Sequence, residues 1–256
     1  MSITGRVAGR LRRAWLERLP VARLKGMLEK RRGAVVLCYH SLSPELGQYA
    51  YRTSAAAFDG HMALLRELFD ILPVDEAVTA LEAGALAGRS RPVAAVCFDD
   101  GYRDNWELAT PILERHGIPA TLYAARSLIR EGGDTFLSEA ELCQLAGHPL
   151  WQVGAHGLTH SVMGGLLPGC QRREMEDSRN WLADLLGTAP EGFAYPLGDI
   201  TPSAVESARA IYDHALSTDR CLASGFDRFQ VRRACLRMQD DSTDAFLQML
   251  WQATWA

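Results

Sequence analysis

Ala94-Ala95-Val96-Cys97-Phe98-Asp99-Asp100-Gly101-Tyr102 is the stretch on which the fold turns. Small and apolar residues lead without interruption into two adjacent carboxylates and then a glycine. An apolar run of that length reads as a strand buried on both faces, as in a parallel sheet. Asp99 and Asp100 then stand where a buried element meets solvent. Buried carboxylates are costly unless a cation compensates them, and a metal ion would do so.

Similar segments recur on either side. Residues 34–38 are an apolar run ending in Tyr39-His40, and Pro119–Ala124, Trp151–Ala155, Gly192–Pro196, His214–Ser217 and Phe229–Arg232 are further strand candidates. Helical spacing of apolar residues fills the intervals at Phe58–Leu68, Asn105–His116, Gln171–Leu186 and Asp241–Trp251. The boundary signals agree. Asp75 is a candidate N-cap for Glu76–Ala83, Gly117 a left-handed stop, Ser138 with Glu141 a capping box, and Thr201-Pro202 a helix start. Strands alternating with helices predict an α/β fold with a parallel sheet or (β/α) barrel, its chemistry at the C-terminal strand ends.

A chain of 256 residues, 48% hydrophobic and 23% charged, has room for one such barrel and the composition of a soluble globular protein. The net charge of −4 excludes a generally basic nucleic-acid binder. That average hides an asymmetry: residues 1–32 hold ten Lys/Arg against Glu17 and Glu29, which leaves the remainder at −12. Residues 1–32 therefore read as a basic amphipathic N-terminal helix, and 33–256 as one α/β domain. Within 5–30, apolar Val7, Leu11, Trp15, Leu19, Val21, Leu24 and Leu28 recur at helical intervals, interrupted by Pro20. Such a segment either packs on the domain or a subunit with a solvated outer face, or makes peripheral contact with an anionic membrane.

The six cysteines show no CxxC pair, which favours reduced, mostly buried thiols over a disulfide framework. No apolar stretch reaches the length of a signal peptide core or a membrane span. The expected location is cytoplasmic, at or near the inner membrane face.

Three polar clusters follow strand candidates: Asp99-Asp100, His156-Gly-Leu-Thr-His160, and Tyr195-Pro-Leu-Gly-Asp199. A histidine pair four apart, joined by one carboxylate, makes a two-His, one-Asp set with open positions for water and substrate. A metal there would lower the pKa of a water and polarise a carbonyl, and the second aspartate could take the proton. Each cluster alone also has a plain reading, the aspartates binding a loop's N–H groups and the histidines forming a satisfied polar pair. Asp104 reads as the cap of the following helix or as a residue lining the cleft. His61, His116 and His148 have no polar partners nearby in sequence and are set aside.

Phe98-Asp99-Asp100-Gly101-Tyr102, His156-x-x-x-His160 and Phe193-Ala194-Tyr195-Pro196-Leu197-Gly198, taken in order, resemble the motifs of the polysaccharide deacetylases. These form carbohydrate esterase family four, which includes the nodulation-factor chitooligosaccharide deacetylase. The resemblance spans roughly residues 33–235, and Tyr39-His40 is similar to a first-strand Tyr-His pair in exopolysaccharide-type members. It implies a deformed (β/α) barrel of about seven parallel strands and a divalent metal, usually Zn2+, with Co2+ or Ni2+ also used. The implied reaction is hydrolysis of an N-acetyl group on a sugar.

Carried over by position, Asp99 matches the general base, while Asp100, His156 and His160 match the metal ligands. Tyr102, Tyr195 and Pro196 fall among the implied substrate contacts. The third motif departs from the family's Arg-x-Pro-Tyr: Ala194 replaces the arginine that orients the base, and Leu197 replaces the tyrosine whose backbone N–H holds the oxyanion. Leu197 N–H can retain that role, and Arg232 or Arg233 is the candidate replacement for the arginine. The family's late histidine acid has no recognisable counterpart, which leaves His214 and His40 as candidates.

The implied substrate is an N-acetylated poly- or oligosaccharide in surface-glycan assembly, with a lipid-linked intermediate suiting the basic N-terminus. Two alternatives remain open, the first on the altered third motif and the second on the missing acid. One is a deformylase or other amide or ester hydrolase on a lipid-linked sugar or small molecule. The other is a catalytically weak glycan-binding relative.

Overall fold

Seven parallel strands close on themselves around the Asp-Asp strand. In a computed structural model, residues 19–253 are described, apart from positions 48, 132, 219–221 and 223–224. The strands are β1 (Ala34–Tyr39), β2 (Asp70–Ile71), β3 (Val93–Asp100), β4 (Ala120–Ala124), β5 (Trp151–Ala155), β6 (Gly192–Ala194), β7 (His214–Ser217) and β8 (Val231–Cys235). Their order is β1-β8-β7-β6-β5-β4-β3, and β3 pairs back onto β1 to complete the ring. The two-residue β2 lies outside it, along the start of β3 with Asp70 opposite Val93. The expected deformed (β/α) barrel is what forms.

All eight residues of β3 are buried, which explains its unbroken apolar run. Alternate residues serve two packing layers. Ala34, Val36, Cys38, Ala95, Cys97, Ala194, Leu216 and Val231 fill the barrel, and Val35, Leu37, Tyr39, Phe98 and Leu122 face the helices. Seven strands enclose a narrower lumen than eight, and the interior is accordingly rich in alanine and cysteine.

Around the ring run α1 (Val21–Leu28), α2 (Ala55–Leu68), α3 (Val74–Glu82), α4 (Thr110–His116), α5 (Arg126–Glu131), α6 (Glu139–Ala146), α7 (Pro168–Leu186), α8 (Pro202–Ile211) and α9 (Thr243–Gln252). The capping box at Ser138/Glu141 and the Thr201 cap form as expected. Other boundaries differ. Asp75 is not the cap of α3: Pro73 precedes the helix and Asp75 sits in its first turn, where its charge suits the helix dipole. The last helix, expected from Asp241, starts two residues later at Thr243 behind a Ser242 cap. The helix expected from Asn105 begins as a wide π turn over Asn105–Ala109, because Pro111 has no N–H for residue 107 and its ring crowds that carbonyl. The last strand starts two residues later than expected, at Val231.

The N-terminal segment is described only from residue 19, and the helix expected over residues 5–18 lies outside the described residues. Its described part, α1, begins after Pro20 and buries Leu24 and Leu28 against α9. The Arg31 guanidinium lies 4.2 Å over the Trp251 ring and donates to the Trp251 carbonyl at 2.9 Å. Residues 21–31 thus pack on the barrel. Among the described residues no helix is long and apolar enough to cross a membrane. Among the described residues no cysteine is in a disulfide; Cys38 and Cys97 are fully buried, Cys143 is exposed, and Cys170 and Cys235 are half-buried. The expectation of mostly buried cysteines is corrected on that point.

Candidate active site

The end of β3 carries the site. Register pairs Asp99 with Tyr123 and Asp100 with Ala124 of β4, and β5 is in turn paired to β6 at Ala155↔Phe193. His156 therefore leaves β5 beside Ala194, and its Nδ1 lies 2.7 Å from the Ala194 carbonyl. A carbonyl only accepts, so Nδ1 carries the proton and the Nε2 lone pair is left for a ligand. That Nε2 lies 3.5 Å from Asp100 Oδ1, and His160 Nε2 lies 3.1 Å from the same oxygen. One donor atom from each of Asp100, His156 and His160 falls within 4.8 Å of the others. Two imidazoles and a carboxylate converging this way fit a divalent cation.

Backbone strain concentrates here. Among the described residues, the non-glycines with positive φ are Asp100 (75°), His160 (58°) and Leu197 (55°). Each costs of order 1–3 kcal/mol. Gly101 follows Asp100 at φ 92°, and a Cβ there would stand 2.6 Å from Ile129 Cδ1. The motif glycine is therefore required by its turn, and a side chain there would also displace the Ile129 methyl.

Asp99 is 3% exposed and is held by Arg233, whose Nη1 and Nη2 donate to its two oxygens at 2.5 and 2.9 Å. The pair is bidentate. Burial pushes the Asp99 carboxyl up, but Arg233, with His156 and His40 nearby, offsets this and holds it well below the usual range. Asp100 is likewise lowered: burial opposes, while the His160 hydrogen bond and the His40 and His156 charges prevail. Burial lowers His156 despite the adjacent aspartates. Burial works against His160 too, yet its bond to Asp100 raises it.

Of the two arginines considered, Arg233 is the one brought to the base. Arg232 is half-buried and alternates to the other face of β8. His214 is not brought to the site. It is buried at the start of β7, at the opposite end of that strand from the chemistry, with Nε2 3.3 Å from Tyr123 Oη. Tyr195 is fully buried and donates to the Phe229 carbonyl at 3.1 Å, so its side chain supports the core and does not face a substrate. Pro196 is also buried, against Gly157. Leu197, 64% exposed, forms the strained turn directly after it.

His40 is within electrostatic reach of both aspartates, and its Nδ1 is buried without a hydrogen-bond partner. Its ring packs 5.0 Å from Tyr51, which is 6.0 Å from Tyr49; Tyr49 is 6.1 Å from Tyr102, which stacks on Phe136 at 4.7 Å. A continuous wall of rings thus runs from His40 across the expected Tyr102.

Sequence reasoning missed the supports of these loops. Asp104 makes no cap bond. It accepts from Ser41 Oγ at 2.5 Å and from the Leu42 and Ser43 N–H groups at 3.0 Å, while Asn105 Nδ2 donates to the His40 carbonyl at 2.7 Å. Glu174 of α7 accepts from the Leu158 and Thr159 N–H groups at 2.9 and 2.8 Å and from Thr159 Oγ1 at 2.8 Å. It thereby pins the loop between the two histidines. These partners lie far apart in sequence and carry no local signal.

Comparison with known proteins agrees with this geometry. The sequence pattern of the family described as "Polysaccharide deacetylase" matches residues 87–212. The Bacillus subtilis (strain 168) protein YxkH, whose name carries polysaccharide deacetylase as a provisional assignment, is 26% identical over 201 residues, 77% of this chain and 68% of its own. The Streptococcus pyogenes deacetylase PplD, solved in complex with acetate, superposes with a TM-score of 0.73 at 24% identity, covering 85% of this chain and 98% of that one. IcaB from Ammonifex degensii gives 0.71 at 24% identity, covering 86% and 98%. The barrel, the ordered motifs and the matched pattern agree: residues 87–212 of this chain carry the sequence pattern of the polysaccharide deacetylase family.

Proposed function

We propose that this protein is a divalent-metal-dependent hydrolase that removes N-acetyl groups from amino sugars of a poly- or oligosaccharide, in the synthesis of a surface glycan. The observation that carries the reading is the division of labour at the end of β3. Asp100 points to the two histidines, and Asp99, one residue earlier, is clamped by Arg233.

Asp100, His156 and His160 would hold the metal, with zinc as the proposed ion. Bound there, it supplies a water acidified toward neutrality and a Lewis acid for the amide carbonyl. Asp99, kept anionic by Arg233, accepts the proton of the attacking water. Leu197, turned into the left-handed region, offers its N–H to the oxyanion of the tetrahedral intermediate. His40, with an unpartnered buried nitrogen and within electrostatic reach of the same carboxylates, gives a proton to the departing amine. The rings of Tyr49, Tyr51, Tyr102 and Phe136 form an apolar wall of the kind on which a sugar ring packs.

The ten Lys/Arg of residues 1–32 support work on a lipid-linked glycan at the cytoplasmic face of the inner membrane. The deciding assay is acetate release from N-acetylated oligosaccharides by the full chain, with and without zinc. Formylated acceptors run in parallel test the deformylase alternative. Activity that is lost to a chelator, restored by zinc and abolished by Asp99→Asn supports the reading. Oligosaccharide binding with no acetate released under any metal would leave a glycan-binding relative instead.

A further inference from the structure

Three thiols lie inside the barrel directly behind the two aspartates. Register sets Cys38 of β1 opposite Cys97 of β3 on one side and opposite Cys235 of β8 on the other, so three neighbouring strands present cysteine at one level. Alternate residues of a strand share a face. Cys38 is two residues before His40, Cys97 two before Asp99, and Cys235 two after Arg233. Each thiol thus stands in the column of a site residue. Both Cys235 and Cys97 bear on the Cys38 thiol, and Arg233 Nη1 approaches Cys97 Sγ at 3.6 Å. Cys38 and Cys97 are buried while Cys235 is partly exposed, so the row opens at one end.

The donor atoms are close enough to share an ion. Cys38 Sγ, Cys97 Sγ and an Asp99 oxygen lie within 4.8 Å of one another. Tetrahedral bonds of about 2.3 Å hold sulfurs about 3.8 Å apart, so only a small contraction is needed. We propose that Cys38, Cys97 and Asp99, reached past Cys235, form a second cation site for a thiophilic divalent ion such as cadmium or excess zinc, and that its occupation inhibits the enzyme.

Charge favours this site. Two thiolates and one carboxylate balance the Arg233 guanidinium together with a divalent ion. Each binding thiol breaks its S–H bond, forms a sulfur–metal bond and gives its proton to solvent, and no electron is transferred. Softness separates the two sites, since thiolate ligands select soft ions and the imidazole–carboxylate set of Asp100, His156 and His160 does not. An ion on Asp99 and Cys97 competes with Arg233 for both partners and occupies the carboxylate assigned as base. The inhibition rests on the proposed function; the binding does not.

The test titrates the zinc-loaded full chain with cadmium, following the sulfur-to-cadmium charge-transfer band, proton release and acetate release. The expected result is a saturable band with proton release, and loss of activity that tracks it. In the Cys38→Ala/Cys235→Ala variant, activity persists and cadmium uptake weakens by at least about tenfold. No band in the native protein overturns the proposal. So does a band of equal strength in the variant, which would place cadmium on other cysteines such as Cys143 or Cys170. Should the double variant not fold, Cys235→Ser alone must slow cadmium entry, and unchanged entry overturns the proposal. A band lost in the variant from a protein that never releases acetate would keep the cation site and reject the deacetylase reading.

Discussion

Arg233 and Asp99 lie 134 residues apart in sequence and meet as a bidentate pair, both fully enclosed by the barrel. The family's arginine is missing from its usual motif, and β8 supplies the charge from the neighbouring wall. A buried carboxylate beside a second one would be expensive alone. Here its charge is neutralised and its orientation fixed by one side chain.

Replacement of Arg233 follows from this geometry. Arg233→Met leaves Asp99 buried and uncompensated and should destabilise the fold by about 3–5 kcal/mol, read by chemical denaturation. Arg233→Lys keeps the charge but loses the fork, and kcat/KM should fall by about a hundredfold. In Arg233→Met the acid limb of the pH–rate profile should move to higher pH, because the Arg233 charge is the main force holding the Asp99 carboxyl below its ordinary value. A limb that stays in place would separate Arg233 from the base.

Leu197 tests the oxyanion assignment. Its side chain is 64% exposed and its φ is 55°, so the residue is chosen for backbone geometry and not for packing. Leu197→Gly relieves the left-handed strain, and stability should change by no more than about 1 kcal/mol, with kcat within a few-fold of native. Leu197→Pro removes the N–H and cannot adopt the positive φ, and it should lower kcat by about two to three orders of magnitude. Steady-state kinetics beside thermal melts distinguish the two variants. A large loss in Leu197→Gly would assign the role to the side chain instead.

The fold was legible in the sequence because buried parallel strands write their burial directly. All of β1 and β3 is apolar until the site begins, and capping signals at Ser138 and Thr201 mark helix starts. The clustering of Asp100, His156 and His160 was legible for a related reason: they follow strand ends, where a short spacing implies a short distance. Other features are written only in three dimensions. The choice between Arg232 and Arg233 depends on which face of β8 each occupies. The strained φ of Asp100, His160 and Leu197 has no compositional mark. Asp104 looked like a helix cap because aspartate before a helix usually is one, whereas here the loop after β1 outbids the helix for its oxygens.

Glu174 should act on the metal set without touching it. Its carboxylate fixes the N–H groups of Leu158 and Thr159 and the Thr159 hydroxyl, between the two histidines. Glu174→Ala should weaken zinc affinity by about 10–100-fold, and Glu174→Gln, which keeps one acceptor oxygen, by less. At saturating zinc, kcat should largely recover. Competition with a chromogenic chelator measures the affinity, and an unchanged value in Glu174→Ala would leave Glu174 with no part in positioning the histidines.

His61 and His214 set the acid stability of the barrel outside its active site. His61 is 1% exposed, with its ring stacked 3.8 Å from Phe246, Nδ1 3.2 Å from the Tyr39 hydroxyl and Nε2 3.1 Å from the Asp240 carbonyl. The carbonyl accepts a hydrogen bond from Nε2–H and the tyrosine donates to Nδ1, so the neutral ring is the form that fits. Burial lowers both His61 and His214 to about 4. Unfolded histidine takes up a proton near pH 6.5, whereas the folded groups stay neutral until about pH 4. Their contribution is therefore intact above about pH 6.5, falls as pH drops from there to about 4, and levels off below, by about 3 kcal/mol for each group. Urea midpoints between pH 7 and 4.5 should decline accordingly. In His61→Gln, whose amide can accept from Tyr39 and donate to Asp240, the decline should be shallower by about half. A native-minus-variant difference that stays constant across that range would show that His61 does not carry the dependence.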